Sequence, residues 1–279
     1  MKISGAVFAT AFVAALAAGC FSTNPIAPET RGLGSPVATT QVDGALSVSA
    51  GDIAVDPGSG NIVTMGYDNN TYANSILVIA RGTGNLVSST PTNTWGSSLG
   101  MVAPNVAMVS DGSYTNTRID LASGVESAVA GMDALGERSA AYMDGGGDLD
   151  SGGGNGGGTV AGGEGEVVSI ECEPSPGSSP INVFAGSGTS RALVSSTTLR
   201  ADIYSVTAVA YAPELDTVWA FTNKGLVGIS TVTGDEMVTV EGTEGLYPSG
   251  MAWDSTTGRL LIASDDWNTG GFRIDEYEL

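Results

Sequence analysis

From about residue 45 onward, short apolar runs rich in β-branched residues alternate with clusters of Gly, Asp, Asn and Pro. No stretch keeps the 3.6-residue apolar period of an amphipathic helix, and the regular spacing of short runs predicts an all-β fold built as a sandwich, a barrel or a propeller. Internal repetition chooses among these. Ala54-Val55-Asp56-Pro57-Gly58-Ser59-Gly60-Asn61-Ile62-Val63 aligns without a gap on Ala252-Trp253-Asp254-Ser255-Thr256-Thr257-Gly258-Arg259-Leu260-Leu261, and the same register carries Asp68 onto Asp266. A looser copy runs from Ala210 to Trp219. Each reads as a strand, a tight turn and a second strand.

A second signature follows each copy. Ile79 to Gly84, Ile119 to Gly124 and Ile229 to Gly234 share an isoleucine, three residues, a hydroxyl residue and a glycine. This predicts a third strand turning into a fourth, with glycine supplying positive φ in the turn. Ile170 and Ile274 are the expected third-strand markers of two further units, giving steps of 40, 51, 59 and 45 residues. Four strands at this period resemble the blades of β-propellers, in the broad NHL, quinoprotein-like and gluconolactonase-like group. The resemblance covers residues 45 to 279 and implies five blades; the 59-residue step leaves room for a sixth through Ile181–Phe184 and Arg191–Ser195. The last unit stops at its third strand, Phe272 to Leu279, so the segment Val37 to Val48 is expected to close the ring by supplying the missing fourth. A two-sheet sandwich is the competing architecture.

The amino terminus reads differently. Met1-Lys2 precedes an uncharged apolar run from Ile3 to Leu16, too short to span a bilayer and suited to a signal peptide. Ala17-Ala18-Gly19-Cys20 resembles the lipobox of bacterial lipoproteins, although Leu16 stands four residues before the cysteine and Ala17 takes the place usually held by leucine. The resemblance implies cleavage before Cys20, a diacylglycerol on its thiol with further acylation such as palmitate, and a place in the cell envelope. Phe21, where aspartate would favour inner-membrane retention, points to the outer membrane in a Gram-negative host, facing the periplasm or the surface. Ordinary secretion, with cleavage after Ala15-Leu16-Ala17, is the alternative. The expected organisation is a signal peptide over 1–19, a flexible Ser/Thr/Pro/Gly-rich tether over 20–40, and a propeller over 41–279 with a glycine-rich insertion at 144–165.

Composition narrows the chemistry. The 279 residues carry 30 acidic and 10 basic side chains, a net charge of −20, which speaks against nucleic acid as a partner. There is no histidine, so His-based triads, His-ligated zinc and His general bases are excluded. The cysteines are Cys20 and Cys172; acylation of the first leaves the second alone, flanked by Glu171 and Glu173, which disfavour a thiolate.

Asp144, Asp148 and Asp150 in the glycine-rich stretch offer oxygen ligands to calcium, the one cofactor considered, against the plainer reading of an acidic loop. Asp56, Asp216 and Asp254 recur with the turns and read as turn formers. Tyr67-Asp68-Asn69 and Asp265-Asp266-Trp267 fall in equivalent loops after second strands, where a propeller presents ligands to one face; Lys224 holds the corresponding place in another unit. No nucleophile–base pair is legible. The function expected is a non-catalytic, lipid-anchored binding or scaffold module for a protein or glycan partner. A metal-dependent hydrolase or lactonase, which the propeller resemblance also implies, and a surface structural protein are the alternatives.

Overall fold

The computed structural model describes residues 27–42, 52–68, 73–94, 98–110, 116–129, 159–162, 166–170, 180–187, 190–203, 206–266 and 271–279. Two strands come first: β1 (Glu29–Gly32) and β2 (Ala38–Val42). Four sets of strands follow in sequence order. They are β3 (Ile53–Val55), β4 (Ile62–Asp68), β5 (Ala73–Ile79) and β6 (Leu86–Pro91); β7 (Ser98–Ala103), β8 (Val106–Ser110), β9 (Asn116–Asp120) and β10 (Glu126–Ala128); β11 (Thr159–Gly162), β12 (Glu166–Ile170), β13 (Pro180–Ser187) and β14 (Ser190–Thr198); and β15 (Ala208–Ala212), β16 (Thr217–Thr222), β17 (Gly225–Ser230) and β18 (Glu236–Glu241). The chain ends on β19 (Gly250–Asp254), β20 (Arg259–Asp266) and β21 (Gly271–Glu278).

Each set is an antiparallel sheet, and the last three strands take β2 as a fourth, with Thr40 opposite Ile274. The fourth sheet also gains β1, which lies parallel to β18 with Glu29 opposite Val238. The first strand of each sheet touches the first strand of the next: β3 meets β7, β7 meets β11, β11 meets β15, β15 meets β19, and β19 returns to β3. The sheets therefore stand in a ring about a common axis. This is an all-β propeller; among the described residues the only helical element is a 3-10 turn, Pro213–Leu215.

The core is divided accordingly into one apolar wedge per gap between neighbouring sheets. Ile62 and Val63, adjacent on β4, enter different wedges. Successive strand side chains point to opposite faces, and here both faces are covered, so the strand reads as an uninterrupted apolar run. Ile62 packs with Leu261 and Phe272 of the last sheet, Val63 with Leu99 and Val109 of the second. Side chains of this size contribute roughly 1.5–3 kcal/mol each when fully buried.

The connections between strands sort into two sets. Because the strands of each sheet alternate in direction, the ends of the first and third strands stand on one side of the ring, here the turn face, and the ends of the second and fourth on the other, the loop face. The turn face is where the repeated motifs act. Gly84 has φ +72°, and a Cβ there would stand 1.8 Å from the carbonyl oxygen of Gln41 on β2. Gly234 has φ +75° and would meet the carbonyl oxygen of Thr198 on β14 at 2.2 Å. The glycine thus lets each such turn dock on the outermost strand of the preceding sheet. Gly82 N–H donates to Thr40 Oγ1 at 2.7 Å, and Thr90 Oγ1 on β6 donates to the carbonyl of Leu121 at 2.9 Å.

Several expectations need correction. Residues 29–32 lie inside the stretch read as a tether, yet form β1, and the tether reading also overlaps the first residues of β2, which falls within the segment Val37 to Val48 expected to be a strand. Backbone pairing carries them, helped by burial of Leu33 and Val42; a Ser/Thr/Gly-rich composition does not forbid a ladder that uses only N–H and C=O groups. Thr159–Gly162, inside the expected insertion, is β11 and pairs with β12. Ile170 sits on the second strand of its sheet, not the third, which is β13 with Ile181 opposite Ile170. Ile181–Phe184 and Arg191–Ser195 therefore do not begin a sixth blade; they are β13 and β14 of that same sheet.

Candidate binding face

The recurrent aspartates lie on the turn face, and Asp56 and Asp254 hold it together through their carboxylates. Asp56 accepts hydrogen bonds from Ser59 N–H at 2.9 Å and Ser59 Oγ at 2.6 Å, closing its own turn. Its other oxygen accepts from Asn105 N–H at 2.8 Å, in the neighbouring sheet. Burial works against this carboxylate, but the Ser59 hydroxyl and the backbone N–H groups of Asn105, Ser59 and Gly58 outweigh it and hold the carboxyl below its ordinary range. Asp254 repeats the arrangement. It accepts from Thr256 N–H at 3.0 Å and Thr257 Oγ1 at 2.6 Å, and reaches Arg81 Nη1 of the adjacent sheet at 2.5 Å. Burial again opposes, and the Thr257, Arg81 and Thr256 bonds prevail to lower its carboxyl. Asp216 departs from the pattern: it takes a left-handed conformation with φ 48°, and its carbonyl accepts from Thr231 N–H at 2.9 Å.

Arg81 is the hub of this face. Its Nε and Nη2 donate to Glu276 Oε1 and Oε2, both at 2.6 Å, while Nη1 holds Asp254. Glu276 and Asp254 side chains are 3% and 5% exposed, so the guanidinium is the main counter-charge of both, with Arg259 adding a longer contact to Glu276 at 3.4 Å. Nearby, Trp219 and Trp253 stack with centroids 6.3 Å apart across two sheets, and Trp253 Nε1 donates to Glu214 Oε1 at 2.6 Å. These groups are occupied by one another, which makes the turn face a structural seam.

The loop face is where the sequence points for ligands. Tyr67 and Asp68 end β4, and Asp265 and Asp266 end β20. Their sheets are neighbours, through β3 and β19. Asp265 is exposed, and desolvation by its surroundings nevertheless pushes its carboxyl above the ordinary range. Asn69 and Trp267 lie outside the described residues, as do Cys20, Asp144, Asp148 and Asp150. Lys224 is not available there: its Nζ donates to Asp202 Oδ2 at 2.7 Å and Glu236 Oε2 at 2.8 Å. That bond, with help from Arg200, holds the Asp202 carboxyl down to about 2.

One residue was missed. Tyr247, in the loop from β18 to β19, is 85% exposed on the loop face beside the sheet that carries Asp265. The signal was Tyr247-Pro248, an aromatic fixed by a following proline between two strands.

Toward the axis, the described inner strands carry apolar side chains: Ile53-Ala54-Val55, Leu99-Gly100-Met101-Val102, Ala208 to Ala212 and Met251-Ala252. Asp52 sits at the loop end of β3, where Oδ1 accepts from Ile53 N–H at 3.0 Å and Oδ2 from Leu99 N–H at 3.2 Å, tying two inner strands. Among the described residues no three Asp, Glu or Cys side chains come together to hold a metal ion.

Among solved structures similar to the chain, that of a glutaminyl cyclase supports the fold. No protein-family model matches the chain, and no curated protein matches it in sequence. The crystal structure of glutaminyl cyclase from Myxococcus xanthus superposes with a TM-score of 0.58 at 10% identity, covering 90% of this chain and 97% of that one. A nidogen/laminin complex gives 0.46 at 12% identity over 78% and 72% of the respective chains. The β-propeller domain of Cps50 (Swd1) from Myceliophteria thermophila gives 0.43 at 9% identity over 84% and 97%. At these identities the likeness is one of architecture.

Proposed function

We propose that the protein is an exported, lipid-anchored propeller of five blades, closed by β2, that presents its loop face to a protein or glycan partner. The observation that carries this reading is the unequal use of the two faces. The main charged groups of the turn face, Arg81, Asp254, Glu276 and Asp56, are spent on one another and on the turns, whereas the loop face exposes Tyr247 between β18 and β19 and Asp265 at the end of β20. An aromatic ring next to carboxylates and amides suits a sugar face or a peptide. The apolar inner strands favour binding over axial catalysis. Cys20 supplies the anchor and the cell envelope is the location, outer membrane in a Gram-negative host.

Two measurements test it. Growth with an alkyne-tagged fatty acid should label the wild-type chain and leave Cys20→Ser unlabelled and released from membranes; equal labelling of both would remove the anchor. Pull-down of the anchored protein from native membranes should recover a partner that is lost with the Tyr247→Ala/Asp265→Asn double variant. Retention of every partner by that variant would move the binding surface elsewhere.

A further inference from the structure

We propose that the turn face docks on a zwitterionic phospholipid surface, so that the loop face points away from the membrane. This rests on the lipid-anchor reading of Cys20 and adds an orientation to it. The first support is the distribution of exposed aliphatic side chains. Val37, Val87, Val125, Leu215, Val232 and Met237 are 48%, 56%, 55%, 51%, 68% and 51% exposed, and each lies in a turn-face connection or within two residues of one. They come from four different sheets, so they are spread around the ring and not gathered in a pocket. A flat, deformable apolar boundary suits that spacing; a compact ligand does not. Leu193 and Val194 lie on the outer strand β14, and Tyr247 is the exception on the loop face.

The second support is the path of the chain. β1 runs parallel to β18 with Glu29 opposite Val238, so β1 begins at the turn-face end of its sheet. Cys20 precedes Glu29 by nine residues, a reach of about 30 Å when fully extended. A lipid on Cys20 would therefore hold this face, and not the opposite one, against the bilayer.

The third is charge. Many carboxylates on the turn face are already paired or capped: Asp56 and Asp120 by their own turns, Asp254 and Glu276 by Arg81, Glu29 by Arg31 at 2.9 Å, and Glu214 by Trp253; Asp216 and Asp235 are exposed. The net charge of −20 selects neutral headgroups over anionic ones.

The test uses the mature lipidated chain, with Cys172→Ser, reconstituted in phosphatidylcholine–phosphatidylethanolamine vesicles. A polarity-sensitive fluorophore is placed singly at Val125→Cys, Val232→Cys or Tyr247→Cys, and brominated lipids serve as quenchers. Quenching at 125 and 232 should exceed that at 247 at least threefold, and Val232→Asp/Met237→Asp should lower the quenching at 125 severalfold with the acyl group retained. Equal quenching at the three sites, stronger quenching at 247, or no response to the aspartate pair overturns the docking. Self-association through the labelled turn positions without vesicles would assign the face to a second copy and overturn it as well. Intact mass of the same sample separates the two readings: a lipidated chain without differential quenching defeats only the docking, whereas a chain without an acyl group defeats both.

Discussion

Arg81 grips Glu276 through both carboxylate oxygens at 2.6 Å, although 195 residues separate them. The pair joins the first complete sheet to the last at the point where the ring returns on itself, and Asp254 completes the contact from the neighbouring turn. Removing the guanidinium leaves Asp254 without its ion pair and leaves Glu276 with only the longer contact to Arg259 at 3.4 Å. Arg81→Met should cost about 2–4 kcal/mol in urea unfolding, toward the lower end for buried pairs because Arg81 is 20% exposed. Arg81→Lys should recover only part of this, since an ammonium cannot match the two-pronged geometry. Combining Arg81→Met with Glu276→Gln should cost less than the sum of the single changes.

The turn glycines separate steric from conformational cost. Gly84→Ala puts a methyl group against the Gln41 carbonyl and should fail to give a cooperatively folded protein, or lose most of its stability. Gly124 has φ +71° as well, but a Cβ there would meet only Thr90 Cγ2 at 3.7 Å. Gly124→Ala should therefore cost about 1 kcal/mol, the strain of a left-handed non-glycine residue. Thermal unfolding of the two variants should differ widely; similar losses would contradict the docking of the Gly84 turn on β2.

Acid should loosen the turn face first. Asp56, Asp254 and Glu276 have carboxyls lowered from ordinary values of 3.8, 3.8 and 4.5. For Glu276 the Arg81 bond is the main cause, with burial opposing it. A lowered carboxyl contributes stability that is fully present above its unfolded value and is lost as pH falls through its folded value. Urea midpoints should hold from pH 7 to about 5 and fall below about 4.5. Glu276→Gln should be less stable at pH 7 and show a shallower fall toward pH 3. Asp265, whose carboxyl is raised, works in the opposite sense, so Asp265→Asn should be neutral or mildly stabilising at pH 7.

Shortening the amino terminus should act in two steps. A chain beginning at Val37 loses β1 and buried Leu33, which should lower stability by about 2–4 kcal/mol and leave a folded monomer. A chain beginning at residue 43 also loses β2, exposing the edge of β21 and the seat of the Gly84 turn. It should aggregate in size-exclusion chromatography.

The chain alone determined that the fold is all-β and repetitive, because a strand buried on both faces must be written as an apolar run and a tight turn as Asp, hydroxyl residue and glycine. Ile62-Val63 and Thr83-Gly84 say as much without coordinates. It also carried the acidic surplus. What only the tertiary structure decided is which groups those turns serve. That Asp254 and Glu276 share Arg81, that Gly84 docks on β2, and that residues 29–32 form a strand and not a tether all depend on neighbours far along the chain. Backbone pairing and ion pairing at such separations leave no local pattern, since each needs only an N–H, a carbonyl or one charge in the right place. The choice between the two faces was hidden for the same reason: exposure belongs to the assembled ring, and Val232 reads no differently in the sequence from the buried Val227.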